Sequence, residues 1–302
     1  MLLNNTNYQK RIIYICVNIQ TVIAIVGIIS NILAIRVFNR KALKKHSYSF
    51  YCRVVACSDI LILLHSFRHW ANFVLDINID LISPLICQFT EYQPHVATIV
   101  SLWLLAVISI DRLITIVYHQ HSRLLKSRWF QVSMVSIVLI YSILLNSQIP
   151  LNTRLLRISN DTLICFCPSS IQYRVSYTFI INILLPNLLI NNLVHLRLIL
   201  FIRASRKKAH GHLVRRRFST IRDRKFAITS IMLNVASSLV KIPFGLGLFA
   251  SNYFNLPYEQ YQLIFVITVT LTILDNCDLL YVNLMFNSLF CSEFFKMIRH
   301  LK

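Results

Sequence analysis

The stretch that decides the fold is SLWLLAVISIDRLITIVYH, residues 101–119, an apolar run interrupted near its end by adjacent opposite charges. A helix needs roughly 20 mostly apolar residues to cross the hydrocarbon core of a bilayer. A charged side chain inside a membrane is costly, and it usually marks a functional site or a specific partner. The pair Asp111 and Arg112 therefore predicts a functional site near the end of a membrane-spanning helix.

The composition of the whole chain agrees with a membrane protein. Of its 302 residues, 56% are hydrophobic and only 14% are charged, which leaves too little polar surface for a soluble fold of this size. Seven apolar runs are long enough to cross a bilayer, at 12–37, 50–72, 86–118, 129–150, 173–202, 226–251 and 259–287. We number these spans 1 to 7 and expect an all-α seven-transmembrane helix bundle.

The segments before and after the bundle are short. Residues 1–11 form a polar N-terminal tail, and residues 12–289 form one transmembrane domain. Residues 290–302 carry apolar side chains at helical spacing among basic ones, a pattern typical of a short amphipathic helix in the membrane interface.

The distribution of lysine and arginine predicts the orientation. The 1–2, 3–4 and 5–6 connections and the C-terminal tail hold twenty of them, and the opposite side about five. By the positive-inside rule, the N-terminus is outside and the C-terminus in the cytosol. The net charge of +20 then meets the anionic surface of the lipid bilayer, and no nucleic-acid partner is predicted. The glycosylation sequons at Asn4 and Asn160 both fall outside.

Seven spans in this orientation, with an Asp-Arg pair closing span 3, resemble the rhodopsin-like (class A) G-protein-coupled receptors. The triplet Asp111, Arg112 and Leu113 matches the family's Asp-Arg-Tyr with leucine in the third place. The stretch SLWLLAVISIDR is similar to that of invertebrate FMRFamide-like neuropeptide receptors. Further matches are Asn31 in span 1, Asp59 in span 2, Cys87 and Ser101 in span 3, Pro186 in span 5, Pro243 in span 6 and Asn283 in span 7.

The resemblance implies a switch at the cytosolic end of the bundle. Arg112 has two candidate partners, its neighbour Asp111 and Asp223 at the foot of span 6. Loss of an Arg112–Asp223 contact would let span 6 swing about Pro243 and open a cleft for a heterotrimeric G protein. A static interfacial ion pair is the alternative. The implied switch residues are Asp111, Arg112, Leu113, Asp223 and Asn283.

The resemblance also implies a buried polar hub of Asn31, Asp59 and Ser101. Its oxygen ligands suit a sodium ion, but leucines stand at two positions that help to bind the ion in the family. Asp59 is then either a sodium ligand or a protonated or water-paired carboxyl group. A further implied feature is a disulfide from Cys87 to the loop between spans 4 and 5, where the partner is Cys165 or Cys167.

Lys241 stands in span 6 where the family usually has a tryptophan. A lysine this deep must find a carboxylate or lose its proton, and Asp275 and Asp278 in span 7 are the nearest candidates. Either it forms an internal bridge or it contacts an acidic group of the ligand. Asp278 could instead lean toward Asp59.

The ligand class follows by exclusion. Pro94 stands where amine receptors carry their aspartate, and Cys277 stands near the position of the retinal-binding lysine of opsins. Neither an amine ligand nor retinal is therefore expected. The polar groups that remain suit a peptide. They include His65, Arg68, His69, Glu91, His95, Lys241 and Asp275.

The sequence thus predicts a plasma-membrane receptor that transmits peptide binding to a G protein. No cofactor and no enzymatic activity are expected, because the chain has neither tight metal-ligand spacing nor a glycine-rich phosphate loop. The alternatives are a non-signalling decoy receptor of the same fold, which would explain the lost motifs, and a small-solute transporter.

Overall fold

The computed structural model describes residues 2–117, 127–157, 163–208, 214–253 and 258–299. The described chain is a mostly helical bundle whose helices follow the predicted spans. Span 1 is Leu2–Phe38, span 2 Ser47–Val74, span 3 Pro84–Val117, span 4 Arg128–Asn146 with Gln148–Asn152, span 5 Ser169–Leu184 and Asn192–Lys208 joined by Leu185–Asn191, span 6 Val214–Tyr253, and span 7 Tyr258–Asp275 with Asp278–Phe286.

Five helices in the described part of the chain are individually long and apolar enough to cross a membrane, in spans 1, 2, 3, 4 and 6. The two pieces of span 7 together make a sixth. Span 5 is helical from Ser169 to Lys208, but π-helical turns over Leu185–Asn191 divide it. The helix of span 1 begins at Leu2, because a helix can continue beyond its apolar segment, while the part apolar enough to cross a membrane is Arg11–Phe38, close to the predicted start at residue 12.

Within the described residues, irregular helix geometry falls at one of three helical prolines and at one polar break. Pro94 and Pro243 lie inside continuous helices, and Pro186 lies in the π-helical turns of span 5. Proline has no N–H to donate and its ring crowds the preceding turn, which favours such distortions. Span 7 bends by 43° between Asp275 and Asp278.

Gly27 lies where span 1 approaches spans 2 and 7 too closely for a side chain. A Cβ added at this glycine would lie 2.3 Å from the Cys277 sulfur and 2.8 Å from a Leu63 methyl carbon. Contacts this short would push the helices apart. Glycine therefore lets span 1 reach the break in span 7.

We call the end of the bundle that holds Arg112 the Arg112 face. Large buried aromatic side chains close the core here. The ring centroids of Phe38 and Phe290 are 4.8 Å apart, and those of Tyr48 and Phe226 are 4.9 Å apart. These rings join spans 1, 2 and 6 to the C-terminal helix.

The C-terminal helix, Ser288–Arg299, confirms the predicted amphipathic segment. It buries Phe290 and is tied to the 1–2 connection by Glu293, which lies 2.6 Å from the Arg40 Nε. Lys296 donates to the other Glu293 oxygen at 2.9 Å. Hydrogen bonds from Lys296 and Arg40 hold the pKa of Glu293 below its ordinary value.

The opposite end of the bundle, which we call the Cys87 face, carries a two-stranded antiparallel hairpin. Strand β1 is Arg154–Arg157 and strand β2 is Leu163–Phe166. The predicted disulfide is present and its partner is Cys165, with 5.6 Å between the Cα atoms. Cys167 is a free thiol. The disulfide fixes the hairpin to the start of span 3.

Replacing Cys165 with serine should lower both surface expression and thermal stability. The bond joins residues 78 apart in sequence, and loss of a native disulfide costs about 2–5 kcal/mol. The matched control is Cys167→Ser, two residues further on. If surface levels and melting temperature fall equally in both variants, the pairing is wrong. Surface immunolabelling and thermal unfolding in detergent measure the two quantities.

Candidate functional site

The Asp-Arg pair of span 3 is buried at the Arg112 face. Asp111 is 2% exposed and Arg112 is 3% exposed. The Arg112 Nε donates to Asp111 Oδ2 at 3.0 Å, and a second guanidinium nitrogen also contacts that oxygen. Ser47, at the start of span 2, donates to Asp111 at 2.9 Å and accepts from Arg112 at 2.7 Å. Within the described residues, the hydrogen bonds of this arginine therefore lie in spans 2 and 3.

Two aromatic rings complete the surroundings of Arg112. The guanidinium carbon lies 5.9 Å from the ring centroids of both Tyr48 and Phe226. A cation close to an aromatic ring is attracted by the negative face of the ring. Phe226 belongs to span 6, so Arg112 contacts the helix that the proposed switch would move. Neither Ser47 nor the two rings could be identified from the sequence, because serines and aromatic residues are common at helix ends.

The other predicted switch residues have different positions. Leu113 is half-buried next to Arg112. Asp223 lies in the helix of span 6, but its side chain is outside the described part of the structure. The predicted Arg112–Asp223 contact therefore remains a prediction. Asn283 is buried in span 7 and accepts a hydrogen bond from the Tyr48 hydroxyl at 3.0 Å.

The predicted hub residues lie in the middle of the bundle. Ser101 donates to Asp59 Oδ1 at 2.9 Å and joins span 3 to span 2. Asn31 contacts the break in span 7 and donates to the Asn276 carbonyl oxygen at 2.7 Å. A bent helix leaves carbonyl groups without partners in their own helix, and a side-chain amide can supply the missing donor. Asn31 thus stabilises the bend that places Asp278.

Lys241 forms the predicted internal bridge. Its Nζ lies 2.7 Å from Asp275 Oδ2, and both side chains are less than 5% exposed. Asp59 and Asp278 are the other acidic groups that act on this ammonium, and Asp278 Oδ2 has no hydrogen-bond partner within the described residues. Lys241 therefore pairs directly with Asp275 and acts electrostatically on two further carboxyl groups.

This arrangement fits a sodium ion poorly. Asp59 and Ser101 supply two oxygen atoms, but Leu279 and Leu280 are buried on the span 7 side and have no polar side-chain atoms. The Lys241 ammonium already supplies a positive charge to the same carboxyl groups. No group of three or more His, Cys, Asp or Glu residues in the described part of the chain is arranged to hold a metal ion.

A second polar network, which was not predicted from the sequence, joins spans 3, 5 and 6. Asn234 donates to the Ser109 hydroxyl at 2.9 Å and accepts from Asn191 at 2.6 Å. The Ser109 hydroxyl also lies 3.3 Å from His195 Nε2. All four residues are buried. The signal was the pair of asparagines within apolar helices, where each polar group needs a partner.

The Cys87 face holds the predicted ligand residues from spans 2 and 3. Arg68 lies 2.8 Å from Glu91 and 3.2 Å from Asp80, and the Glu91 side chain is 37% exposed. His65 and His69 contact each other through their Nε2 atoms at 3.2 Å. Asp80 was not among the predicted site residues, because it lies in the short connection before span 3.

The remaining predicted residues are His95, Lys241, Asp275 and the two sequon asparagines. His95 is half-buried in span 3, one helical turn after Glu91. Lys241 and Asp275 belong to the buried bridge, as described above. Asn160 is outside the described residues, and the Asn4 side chain is outside them as well, although the helix of span 1 includes its backbone. Glycosylation at both asparagines stays a prediction.

The fold and the site define a multi-pass helical membrane protein with a buried charge pair at one face and a disulfide-linked hairpin at the other. Residues 30–279 match the family model described as 7 transmembrane receptor (rhodopsin family). The chain belongs to the rhodopsin family of seven-transmembrane receptors, and so it is a receptor and not an enzyme or a transporter. No curated protein sequence matches the chain.

Proposed function

We propose that this receptor lies in the plasma membrane with its N-terminus outside, binds a peptide at the Cys87 face and activates a heterotrimeric G protein at the Arg112 face. The excess of lysine and arginine in the connections at the Arg112 face supports this orientation. The disulfide at the other face also supports it, because disulfides form and persist in oxidising compartments.

The observation that carries the proposal is the position of Arg112. Its charge is buried at the Arg112 face, where it contacts side chains of spans 2, 3 and 6. A buried charge held by replaceable polar contacts can change partner when one helix moves. Outward movement of span 6 would remove Phe226 and expose the guanidinium to a protein docked from the cytosol.

Support for a peptide ligand comes from the charges of the Cys87 face. Arg68, Asp80 and Glu91 form an ionic cluster beside the disulfide-linked hairpin, and Glu91 is its most exposed member. An exposed carboxylate beside several histidines suits a ligand with both a basic group and amide groups. The similarity of SLWLLAVISIDR to FMRFamide-like neuropeptide receptors points to the same class.

Asp223→Ala should raise agonist-independent G-protein dissociation about fivefold, since loss of a hydrogen-bonded ion pair removes about 1 kcal/mol from the inactive state. Adding Arg112→Ala should abolish the rise. Dissociation of the G-protein subunits in cells measures the signal, for each G-protein family and at matched surface levels. It is recorded without ligand and again with a panel of amidated neuropeptides. If both proteins reach the surface and remain silent in every combination, the G-protein proposal is wrong and a non-signalling receptor takes its place.

A further inference from the structure

The Arg112 face carries a cleft on the side of the bundle that faces lipid. It has a volume of about 420 Å³ and lies between spans 1, 2 and 4. Its lining combines apolar side chains with two arginines, namely Ile35, Phe50, Arg53, Val54, Cys57 and Arg128. None of these residues takes part in the Arg112 site or in the Lys241 bridge.

The two arginines share a single aromatic ring. The guanidinium carbons of Arg53 and Arg128 lie 5.7 Å and 5.3 Å from the Phe50 ring centroid. The charge of Arg128 acts on Arg53, and like charges repel each other. An anion placed between them would remove the repulsion and gain both charges as partners.

The described part of the chain supplies no such anion. Neither Arg53 nor Arg128 forms a salt bridge among the described residues. Of the acidic side chains at this face, Asp111 is engaged by Arg112, and Glu293 by Arg40 and Lys296. The described carboxylates therefore neutralise neither guanidinium group.

The arginines also keep free donors. Arg53 uses two N–H groups, one to the Ser49 carbonyl oxygen at 3.2 Å and one to Asn39 Oδ1 at 2.5 Å. Arg128 is exposed at the start of span 4, and within the described residues only the Phe50 ring contacts its guanidinium. A guanidinium has five N–H donors in a planar fork that matches phosphate oxygens. Several donors therefore remain for an external phosphate.

The rest of the cleft suits an acyl chain. Ile35, Val54 and the exposed Cys57 form its apolar wall. The exposed side chains of Ile32 and Leu61 continue this apolar surface toward the centre of the bilayer. A soluble anion would leave this wall uncovered, whereas a phospholipid covers it while its phosphate reaches the arginines.

We propose that this cleft, the Arg53–Arg128 cleft, binds an anionic phospholipid of the leaflet at the Arg112 face. The phosphate and the anionic headgroup lie between the two guanidinium groups, and one acyl chain follows Ile35, Val54 and Cys57. Basic pockets between transmembrane helices are known to bind anionic headgroups in this way. The proposal does not depend on the ligand or on G-protein coupling.

The test uses the full-length receptor, purified in detergent and delipidated, with bound lipid counted by native mass spectrometry. The wild type should retain dioleoyl phosphatidylserine in preference to dioleoyl phosphatidylcholine. Arg53→Gln/Arg128→Gln should reduce phosphatidylserine retention about tenfold, because both charged partners are lost. The control is Lys41→Gln/Lys45→Gln, which removes two exposed lysines from the same face and should retain phosphatidylserine like the wild type.

Arg53 also contacts Asn39, so the double variant could fold poorly. The single variant Arg128→Gln avoids this problem and should reduce retention about threefold. Equal retention in Arg128→Gln and the wild type overturns the proposal. If phosphatidylcholine is retained as well as phosphatidylserine, the cleft binds acyl chains regardless of headgroup charge, and this result also overturns the proposal. If soluble glycerol phosphate displaces phosphatidylserine at a concentration similar to that of the lipid, the cleft is a site for small anions and not for lipid. That result also overturns the proposal.

Discussion

Lys241→Met is expected to destabilise the receptor by about 3–5 kcal/mol at neutral pH, the typical cost of removing one partner of a buried ion pair. The substitution keeps the length of the side chain but leaves Asp59, Asp275 and Asp278 without their cation. Burying three carboxyl groups without a positive charge requires them to take up protons. Thermal unfolding can be followed with a thiol-reactive dye, because Cys52 and Cys277 are buried free thiols.

The sign of the pH dependence distinguishes this mechanism from a simple packing defect. If the folded variant binds more protons than the unfolded chain, its stability must rise as pH falls. The melting temperature of Lys241→Met should therefore recover between pH 7.5 and 5.5, relative to the wild type. A packing defect would lower it equally at both pH values, and this outcome would contradict the role assigned to the lysine.

Two further variants make the comparison sharper. Lys296→Met removes a lysine from an ion pair in which its side chain is 56% exposed, and should cost less than about 1 kcal/mol. Lys241→Met/Asp275→Leu should be more stable than Lys241→Met alone, because it also removes one of the unpaired carboxyl groups. If the double variant is less stable, Asp275 contributes through some contact other than the lysine.

The fold could be predicted from sequence because its signals are local. An apolar run of sufficient length identifies a span wherever the helix lies in the bundle, and basic connections predict orientation independently of packing. Irregular geometry is harder to locate. Pro186 accompanies the π-helical turns of span 5, but the break between Asp275 and Asp278 has no proline and is contacted by Asn31 from another helix.

The candidate site was partly predictable for a different reason. A buried lysine needs a carboxylate, so the Lys241 bridge could be inferred before the packing was known. Cys165 and Cys167 could not be separated, because residues two apart in an extended chain point to the same side and only the hairpin position selects one. The contacts of Ser47 and Asn234 depend on how neighbouring helices are rotated, and helical periodicity does not fix that rotation.

Asp111→Asn is expected to raise agonist-independent G-protein dissociation roughly tenfold, if the receptor couples as proposed. The carboxylate accepts two contacts from Arg112 and one from Ser47, and a charge-assisted hydrogen bond is worth about 1.5–3 kcal/mol. Asparagine keeps the shape but loses the charge. Since about 1.4 kcal/mol corresponds to a factor of ten in a two-state equilibrium, loss of this contact shifts the population substantially.

Glu293→Gln is the matched control, because it makes the same change from carboxylate to amide at the same face. Glu293 binds Arg40 and Lys296 and does not contact Arg112, so this variant should leave the basal signal unchanged. Ser47→Ala removes only the bridging hydroxyl group and should give an intermediate rise of about fivefold, the value of roughly 1 kcal/mol for one hydrogen bond. At matched surface levels, equal basal signals in Asp111→Asn and Glu293→Gln would show that this carboxylate does not hold the receptor inactive. If the receptor must release Arg112 before it binds a G protein, the basal signal should be highest for Asp111→Asn and lower for Ser47→Ala. It should be lowest, and equal to the wild type, for Glu293→Gln.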